Sequence, residues 1–163
     1  ASLAHRFGKL DVDDLDWQRR PYNEWAAYGA TKLGLLLYTY ELQRRLSAEG
    51  AAVIAVAAHP GFSITNLPSS SGMKLANSWL GRRALALGNR LLGQPAEQGA
   101  LCQLYAATAA DIQGGDYIGP DGFKEMTGFP RKVQSEPITH NRVLARQLWD
   151  RLSTLSGRCY LAD

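Results

Sequence analysis

An uninterrupted apolar segment that directly follows a long helical pattern constrains the fold of this chain more than any other feature. Residues 51–58 are all apolar and lie between Gly50 and Pro60. A segment that is apolar at every position predicts a strand covered on both faces, as in parallel sheets. Residues 24–48 carry apolar side chains near the helical period, and Gly50 follows as the expected end of that helix. A helix joined to a buried strand by a short turn predicts an α/β fold.

The rest of the chain continues this alternation of helix and strand. Apolar periodicity predicts a helix over 79–92, another from Pro95 to about Ala110, and an amphipathic helix over 141–155. Between the last two helices, residues 115–119 predict a short strand. Residues 9–20 contain four aspartates, a composition typical of a surface loop.

Composition excludes several classes of protein. Of 163 residues, 45% are hydrophobic and 20% are charged, as in an ordinary globular chain. No apolar segment reaches the roughly 18 to 20 residues that a membrane-spanning helix needs. The net charge of +3 is scattered along the chain, so no nucleic-acid binding is expected. Two distant cysteines and three separated histidines predict neither a disulfide framework nor a metal site, and we expect a cytoplasmic protein.

Tyr28 and Lys32 form the sharpest chemical feature. They are four residues apart in the predicted helix, so their side chains share one helical face. The positive charge of the lysine favours the phenolate form of the tyrosine, which can then exchange a proton with an alcohol or a carbonyl. The bare pattern is common by chance, and a purely structural pair is its alternative interpretation.

The segment after the predicted strand adds context to this pair. It reads His59-Pro60-Gly61-Phe62-Ser63-Ile64-Thr65. Ligands of open parallel sheets bind beyond the carboxyl ends of the strands. A Pro-Gly turn followed by a threonine can present backbone groups and a hydroxyl to a flat polar ligand there. Without the upstream Tyr28–Lys32 pair, a plain turn at Pro60-Gly61 and a helix N-cap at Thr65 would be the preferred interpretations.

On these segments the chain resembles the short-chain dehydrogenase/reductase family, most closely its retinol-dehydrogenase-like and WW-domain-oxidoreductase-like branch. The matching pieces, in chain order, are Ser2-Leu3-Ala4-His5, Asp14-Leu15, Tyr28-Gly-Ala-Thr-Lys32-Leu33, and His59-Pro60-Gly61 with Thr65. The resemblance implies the C-terminal, catalytic half of a doubly wound parallel-sheet domain of the Rossmann type. The family's Gly-rich fingerprint is not present in this sequence, so we expect the N-terminal nucleotide-binding half to be missing from this chain.

The resemblance also implies a role for each matching residue. Ser2 corresponds to the serine that hydrogen-bonds the substrate oxygen, and Tyr28 to the general acid/base. Lys32 corresponds to the residue that binds the nicotinamide ribose and favours the phenolate. The implied cofactor-binding residues are Tyr28, Lys32, Pro60, Gly61, Ser63 and Thr65.

The implied activity is that of an NAD(P)-dependent oxidoreductase that interconverts an alcohol and a carbonyl, with a lipophilic small-molecule substrate and NADP favoured over NAD. Within a single domain portion over 1–163, residues 66–93 correspond to the substrate lid. The alternative is a catalytically inactive relative that serves as a binding or regulatory protein. We expect a monomer or a weak homodimer, because the outward side of helix 24–48 carries charges that an obligate interface would lack: Glu41, Arg44, Arg45 and Glu49.

Neither His5 nor His59 has a carboxylate at the spacing of a hydrolase triad, and the chain has no Gly-x-Ser-x-Gly nucleophile elbow. A hydrolase is therefore not expected.

Overall fold

The computed structural model describes residues 1–62, 93–158 and 161. The predicted helix 79–92, almost all of the predicted lid, and both Ser63 and Thr65 lie outside the described residues. The helices and strands of the described part, in chain order, are α1 (Glu24–Ala48), β1 (Ala57–Ala58), α2 (Ala96–Thr108), β2 (Tyr117–Pro120), β3 (Pro130–Lys132) and α3 (Arg142–Ser156). Short 3₁₀ turns lie at Leu3–Phe7, Phe123–Glu125 and Pro137–His140. None of the helices in these ranges is both long and apolar enough to cross a membrane.

Side-chain caps define the helix boundaries that the sequence predicts. The Asn23 side chain accepts a hydrogen bond from the amide of Ala26, at 2.9 Å, and so starts α1. Asn141 caps α3 in the same way, through the amide of Leu144 at 3.1 Å. Gly157 ends α3 at a φ of 66°, a left-handed conformation that glycine adopts without strain. The predictions of helices over 24–48 and 141–155 are confirmed.

The described strands form a three-stranded sheet in the order β1-β2-β3. The amide of Ala57 donates to Asp116 O at 3.0 Å, and the amide of His59 donates to Ile118 O at 2.9 Å. Because the partners advance in the same direction along both strands, β1 and β2 are parallel. Strand β3 is antiparallel to β2, with Gly119 opposite Arg131, and the sequence pattern does not predict this third strand.

The predicted strand over 51–58 is largely wrong. Only Ala57–Ala58 is regular strand, and Val53 and Ile54 are 64% and 49% exposed rather than covered on both faces. The reason is visible at Ala55, whose carbonyl accepts from the amide of Gly115 at 2.8 Å while its amide donates to the side chain of Gln43 at 2.7 Å. A side chain thus takes the place of a backbone partner at Ala55, and the regular hydrogen-bonded ladder with β2 begins at Ala57.

Two compact units make up the fold. The first comprises Ala1–Ala57, Ala110–Tyr117 and Val133–Asp163, and the second comprises Ala58–Ala109 and Ile118–Lys132. Helix α1 organises the first unit, because it buries apolar side chains on two of its sides. Leu33 and Leu37 pack against α3, whereas Leu36 packs with a separate cluster that includes Ala57 and Tyr117. Each fully buried leucine contributes about 1.5–3 kcal/mol to the free energy of folding.

Of the four charged residues predicted to point outward near the end of α1, Glu49 is exposed, whereas Glu41 and Arg45 are buried. Glu41 and Arg45 are only 2% and 9% exposed. The Arg45 Nε lies 2.8 Å from Glu41 Oε1, and its guanidinium stacks over the ring of Trp149, with 4.7 Å to the ring centroid. Arg44 forms a second ion pair with Glu41. Burial of these charges is tolerated because they neutralise one another.

The loop over 9–20 is folded around one buried carboxylate, which its surface-loop composition does not predict. Asp14 is 2% exposed, and its Oδ1 accepts from the amides of Gln18 at 2.6 Å and Arg19 at 3.0 Å. Its other oxygen lies 3.3 Å from Arg20 Nε, and that guanidinium lies over the ring of Trp17.

Cys102 in α2 is fully buried. Burial, and secondarily the charge of Asp121, raise the pKa of the Cys102 thiol from 9.0 to about 11. The thiol of Cys102 therefore stays protonated to a higher pH in the folded state than in the unfolded state. The stability that this thiol contributes is complete below pH 9 and is lost as the pH rises toward 11.

We therefore expect Cys102 to resist labelling in the folded protein. In a Cys159→Ser variant, which leaves Cys102 as the remaining thiol, an aromatic disulfide reagent at pH 8 should react at least about 100-fold more slowly than with a free cysteine. The same sample in guanidinium chloride provides the reference rate. Equal rates in the two conditions would contradict burial of this thiol.

Candidate active site

The structure brings Ser2, Tyr28 and Lys32 together in the first unit. The Tyr28 hydroxyl donates to Ser2 Oγ at 3.4 Å. Lys32 Nζ lies 5.2 Å from the centroid of the Tyr28 ring, within the range of a cation–π contact. All three residues are half-buried, so a small molecule can reach them while part of each is shielded from water. A phenol, a hydroxyl and an ammonium thus meet at one place.

Ser2 is held by the 3₁₀ turn that follows it. Its Oγ accepts from the amide of Ala4 at 3.2 Å, and its carbonyl lies 2.7 Å from His5 Nδ1. His5 is 1% exposed, and its Nε2 accepts from the amide of Glu136 at 3.3 Å. Because Nε2 is an acceptor, the hydrogen-bond network assigns the proton to Nδ1, which donates to Ser2. His5 thereby fixes the backbone that carries the Ser2 hydroxyl.

Two glycines let this turn approach α1 closely enough for Ser2 to reach Tyr28. A Cβ at Gly8 would collide with the backbone carbonyl of Gly29. A Cβ at Gly29 would lie 2.8 Å from the ring of Phe7 and 3.2 Å from the carbonyl of Ala4. Sequence reasoning did not identify either glycine, because the contact joins positions that are 21 residues apart.

An exposed aromatic residue borders the same site. Trp25 lies one turn before Tyr28 on α1, with its ring edge-to-face at a centroid distance of 6.4 Å. Its side chain is 49% exposed, so it presents apolar surface beside the Tyr28 ring. The helical spacing of three residues was the available signal for this contact.

Pro60 and Gly61 lie in the second unit, in a sharp turn after β1. Gly61 has a φ of 66°, and a Cβ there would collide with the carbonyl of Met126. The amide of Phe62 donates to that same carbonyl at 2.6 Å. Glycine is therefore required at this turn for both conformational and steric reasons.

His59 precedes this turn and has a carboxylate partner that its sequence spacing does not reveal. Its ring is fully buried, with Nε2 3.1 Å from Glu125 Oε2 and Nδ1 accepting from the amide of Gly61 at 3.2 Å. In the part of the chain that the structure describes, no three His, Cys, Asp or Glu side chains are grouped closely enough to hold a metal ion.

No family model matches the chain. Similar curated proteins are dehydrogenases. The chain is 36% identical to human retinol dehydrogenase 13 over 96% of its own length and 44% of that protein. It is 32% identical to human polyprenol dehydrogenase, over 96% of this chain and 43% of that protein. It is 37% identical to mouse retinol dehydrogenase 12, over 96% of this chain and 44% of that protein. The chain therefore spans less than half the length of these relatives.

A solved structure shows the same fold. An uncharacterized protein from Mycobacterium paratuberculosis superposes with a TM-score of 0.74 at 33% sequence identity, over 97% of this chain and 48% of that chain. With the helix and strand order, this likeness confirms the predicted fold class, a portion of an α/β domain of the Rossmann type. The curated relatives confirm the predicted resemblance of this chain to the retinol-dehydrogenase-like branch of the short-chain dehydrogenase/reductase family.

Proposed function

We propose that the protein is an NAD(P)-dependent oxidoreductase that interconverts an alcohol and a carbonyl of a lipophilic small molecule. One observation carries this proposal: the Tyr28 hydroxyl lies within hydrogen-bond reach of Ser2 Oγ and beside the Lys32 ammonium. Two further facts support the substrate class. The relatives are named for retinol and polyprenol, which are lipophilic alcohols, and Trp25 exposes apolar surface next to Tyr28.

In the proposed reaction, Ser2 and Tyr28 act on the oxygen of the substrate. The Ser2 hydroxyl orients this oxygen by a hydrogen bond. In the oxidative direction, the Tyr28 phenolate removes the hydroxyl proton as the carbonyl forms; in the reductive direction, the Tyr28 phenol returns it. The Lys32 ammonium stabilises the phenolate by its charge. When bound, the nicotinamide accepts or supplies the hydride.

The residues present fit a nicotinamide cofactor. Within the described ranges, Lys32 forms no ion pair with a carboxylate, so its donors remain available for ribose hydroxyls. A Cβ at Gly61 would collide with the carbonyl of Met126, so glycine is required to keep this turn. We propose that Lys32 binds the cofactor; for Pro60 and Gly61, cofactor binding is what the family resemblance implies. Cofactor binding by Ser63 and Thr65 stays a prediction. The preference for NADP and the monomeric or weakly dimeric state are also predictions.

A cofactor titration of the full-length protein tests the proposal. NADH and NADPH should each be added while nicotinamide fluorescence is measured, and at least one should bind saturably. Lys32→Met should raise its Kd about 10- to 100-fold, because a hydrogen bond to a charged group is lost. Lys9→Met, which removes an exposed lysine, is the matched control and should bind as the wild type does. Absence of binding by the wild type would favour the inactive binding or regulatory relative.

A further inference from the structure

The backbone of the turn over 60–62 is bonded to side chains and backbone groups throughout the second unit. The carbonyl of Pro60 accepts from Gln94 Nε2 at 2.7 Å. The amide of Gly61 donates to His59 Nδ1, and the carbonyl of Phe62 accepts from the backbone amide of Gln94 at 3.0 Å. Two hydrogen bonds from the distant Gln94 and one to the adjacent His59 therefore fix a turn only three residues long.

Gln94 bridges this turn to a second segment of the same unit. It is 3% exposed, and its Oε1 accepts from the amide of Gly128 at 2.9 Å. Since Oε1 faces an N–H group, the hydrogen-bond network orients Nε2 toward the carbonyl of Pro60. Both ends of the buried amide are thus used, and only a side chain with one donor and one acceptor satisfies both partners.

His59 and Glu125 hold the turn from its other side. Because Nδ1 of His59 accepts from Gly61, its Nε2 carries the proton and donates to Glu125 Oε2 at 3.1 Å. Glu125 and the preceding Lys124 adopt φ values of 59° and 50°, which side-chain-bearing residues rarely adopt. Gly119 leaves the space that the imidazole fills, because a Cβ there would collide with His59 Nε2.

We infer that Gln94, together with the His59–Glu125 pair, positions the Pro60–Gly61 turn for cofactor binding. This inference rests on the proposed function, in which that turn lines the nicotinamide. None of the three side chains is a catalytic residue; each acts through the turn. A turn ordered before the cofactor arrives avoids the loss of conformational freedom that binding would otherwise cost.

Gln94→Glu tests the inference with a small change. It keeps an acceptor for the amide of Gly128 but removes the donor to Pro60 and places a carboxylate oxygen against that carbonyl. The Kd for NADH or NADPH, whichever the wild type binds, should rise about 5- to 100-fold, as expected when a partly buried carbonyl loses a hydrogen-bond donor and faces a carboxylate. Turnover at saturating cofactor should change much less. Gln98→Glu is the matched control, since Gln98 lies four residues later and donates to the carbonyl of Gly128, at 3.4 Å, rather than to the turn.

Glu125 provides a second, independent pair of variants. Glu125→Gln keeps an oxygen that can accept from His59 and should bind cofactor nearly as the wild type does. Glu125→Ala removes the acceptor and should weaken binding. Equal effects of the two substitutions would overturn the part of the inference that concerns His59 and Glu125.

Hydrogen exchange of the full-length protein without cofactor separates failure of the inference from failure of the proposed function. The amides of Gly61 and Phe62 should exchange faster in Gln94→Glu than in the wild type and in Gln98→Glu. Unchanged exchange, or equal weakening of cofactor binding by the Gln94 and Gln98 variants, would overturn the positioning role. Faster exchange in Gln94→Glu, combined with a wild type that binds no nicotinamide cofactor, would instead show that Gln94 holds the turn but that the proposed function is wrong.

Discussion

Replacement of Tyr28 by phenylalanine is expected to lower kcat/KM of the full-length protein about 10²- to 10⁴-fold, the usual contribution of a general acid or base. The variant loses the hydroxyl that donates to Ser2 Oγ and that, in the proposed reaction, exchanges a proton with the substrate. The aromatic ring stays beside Lys32 and Trp25, so the local packing is preserved. The Kd for the nicotinamide cofactor should therefore remain within about twofold of the wild-type value. Steady-state kinetics and the fluorescence titration measure the two effects separately.

Tyr38→Phe is the matched control on the same helix. The Tyr38 ring stacks on Trp149 with a centroid distance of 4.9 Å, and stacking does not require the hydroxyl. Its activity should equal that of the wild type. Turnover by Tyr28→Phe at the rate of Tyr38→Phe would contradict the assignment of Tyr28 as the acid/base.

Local sequence signals predicted the helices well and the first strand poorly, for one physical reason. Helix α1 forms its hydrogen bonds within itself, so the apolar period and the cap at Asn23 define its bounds. A strand forms its hydrogen bonds with other segments. The apolar segment over 51–58 does not predict that the amide of Ala55 donates to the Gln43 side chain. The burial of Glu41 could not be predicted for a similar reason. Its ion-pair partner Arg45 packs over the ring of Trp149, which belongs to α3, a segment distant in sequence.

The residues of the candidate site also fall into those that the sequence predicts and those that it does not. Tyr28 and Lys32 share a helical face by spacing alone, and Ser2 joins them only through the family resemblance. No local pattern predicts that Gln94 bonds to Pro60 or that Glu125 bonds to His59, because the fold brings together positions 34 and 66 residues apart. Residues that react are thus easier to find in a sequence than residues that position them.

Gly8→Ala is expected to be among the most disruptive small substitutions in the first unit. Its Cβ would enter the space of the Gly29 carbonyl and lie 2.9 Å from Leu33 Cβ. Backbone atoms of a helix cannot rotate aside as a flexible side chain can, so the turn over Leu3–Phe7 must move away from α1. Overpacking of this kind costs about 1–3 kcal/mol of the free energy of unfolding. Because the same movement separates Ser2 from Tyr28, kcat/KM should also fall in samples that remain folded.

Gly34→Ala gives the opposite expectation and serves as the control. A Cβ at Gly34 would meet Leu148 at 3.7 Å and Leu10 at 3.9 Å, which are ordinary packing distances. Since alanine is favoured over glycine inside a helix, this variant should gain up to about 1 kcal/mol. Guanidinium denaturation of both variants measures the difference, and kcat/KM measured well below each midpoint reports on Ser2. Equal stability of the two variants would mean that the turn carrying Ser2 can move away from α1 without cost. The close approach of Gly8 to Gly29 would then not be what holds Ser2 near Tyr28.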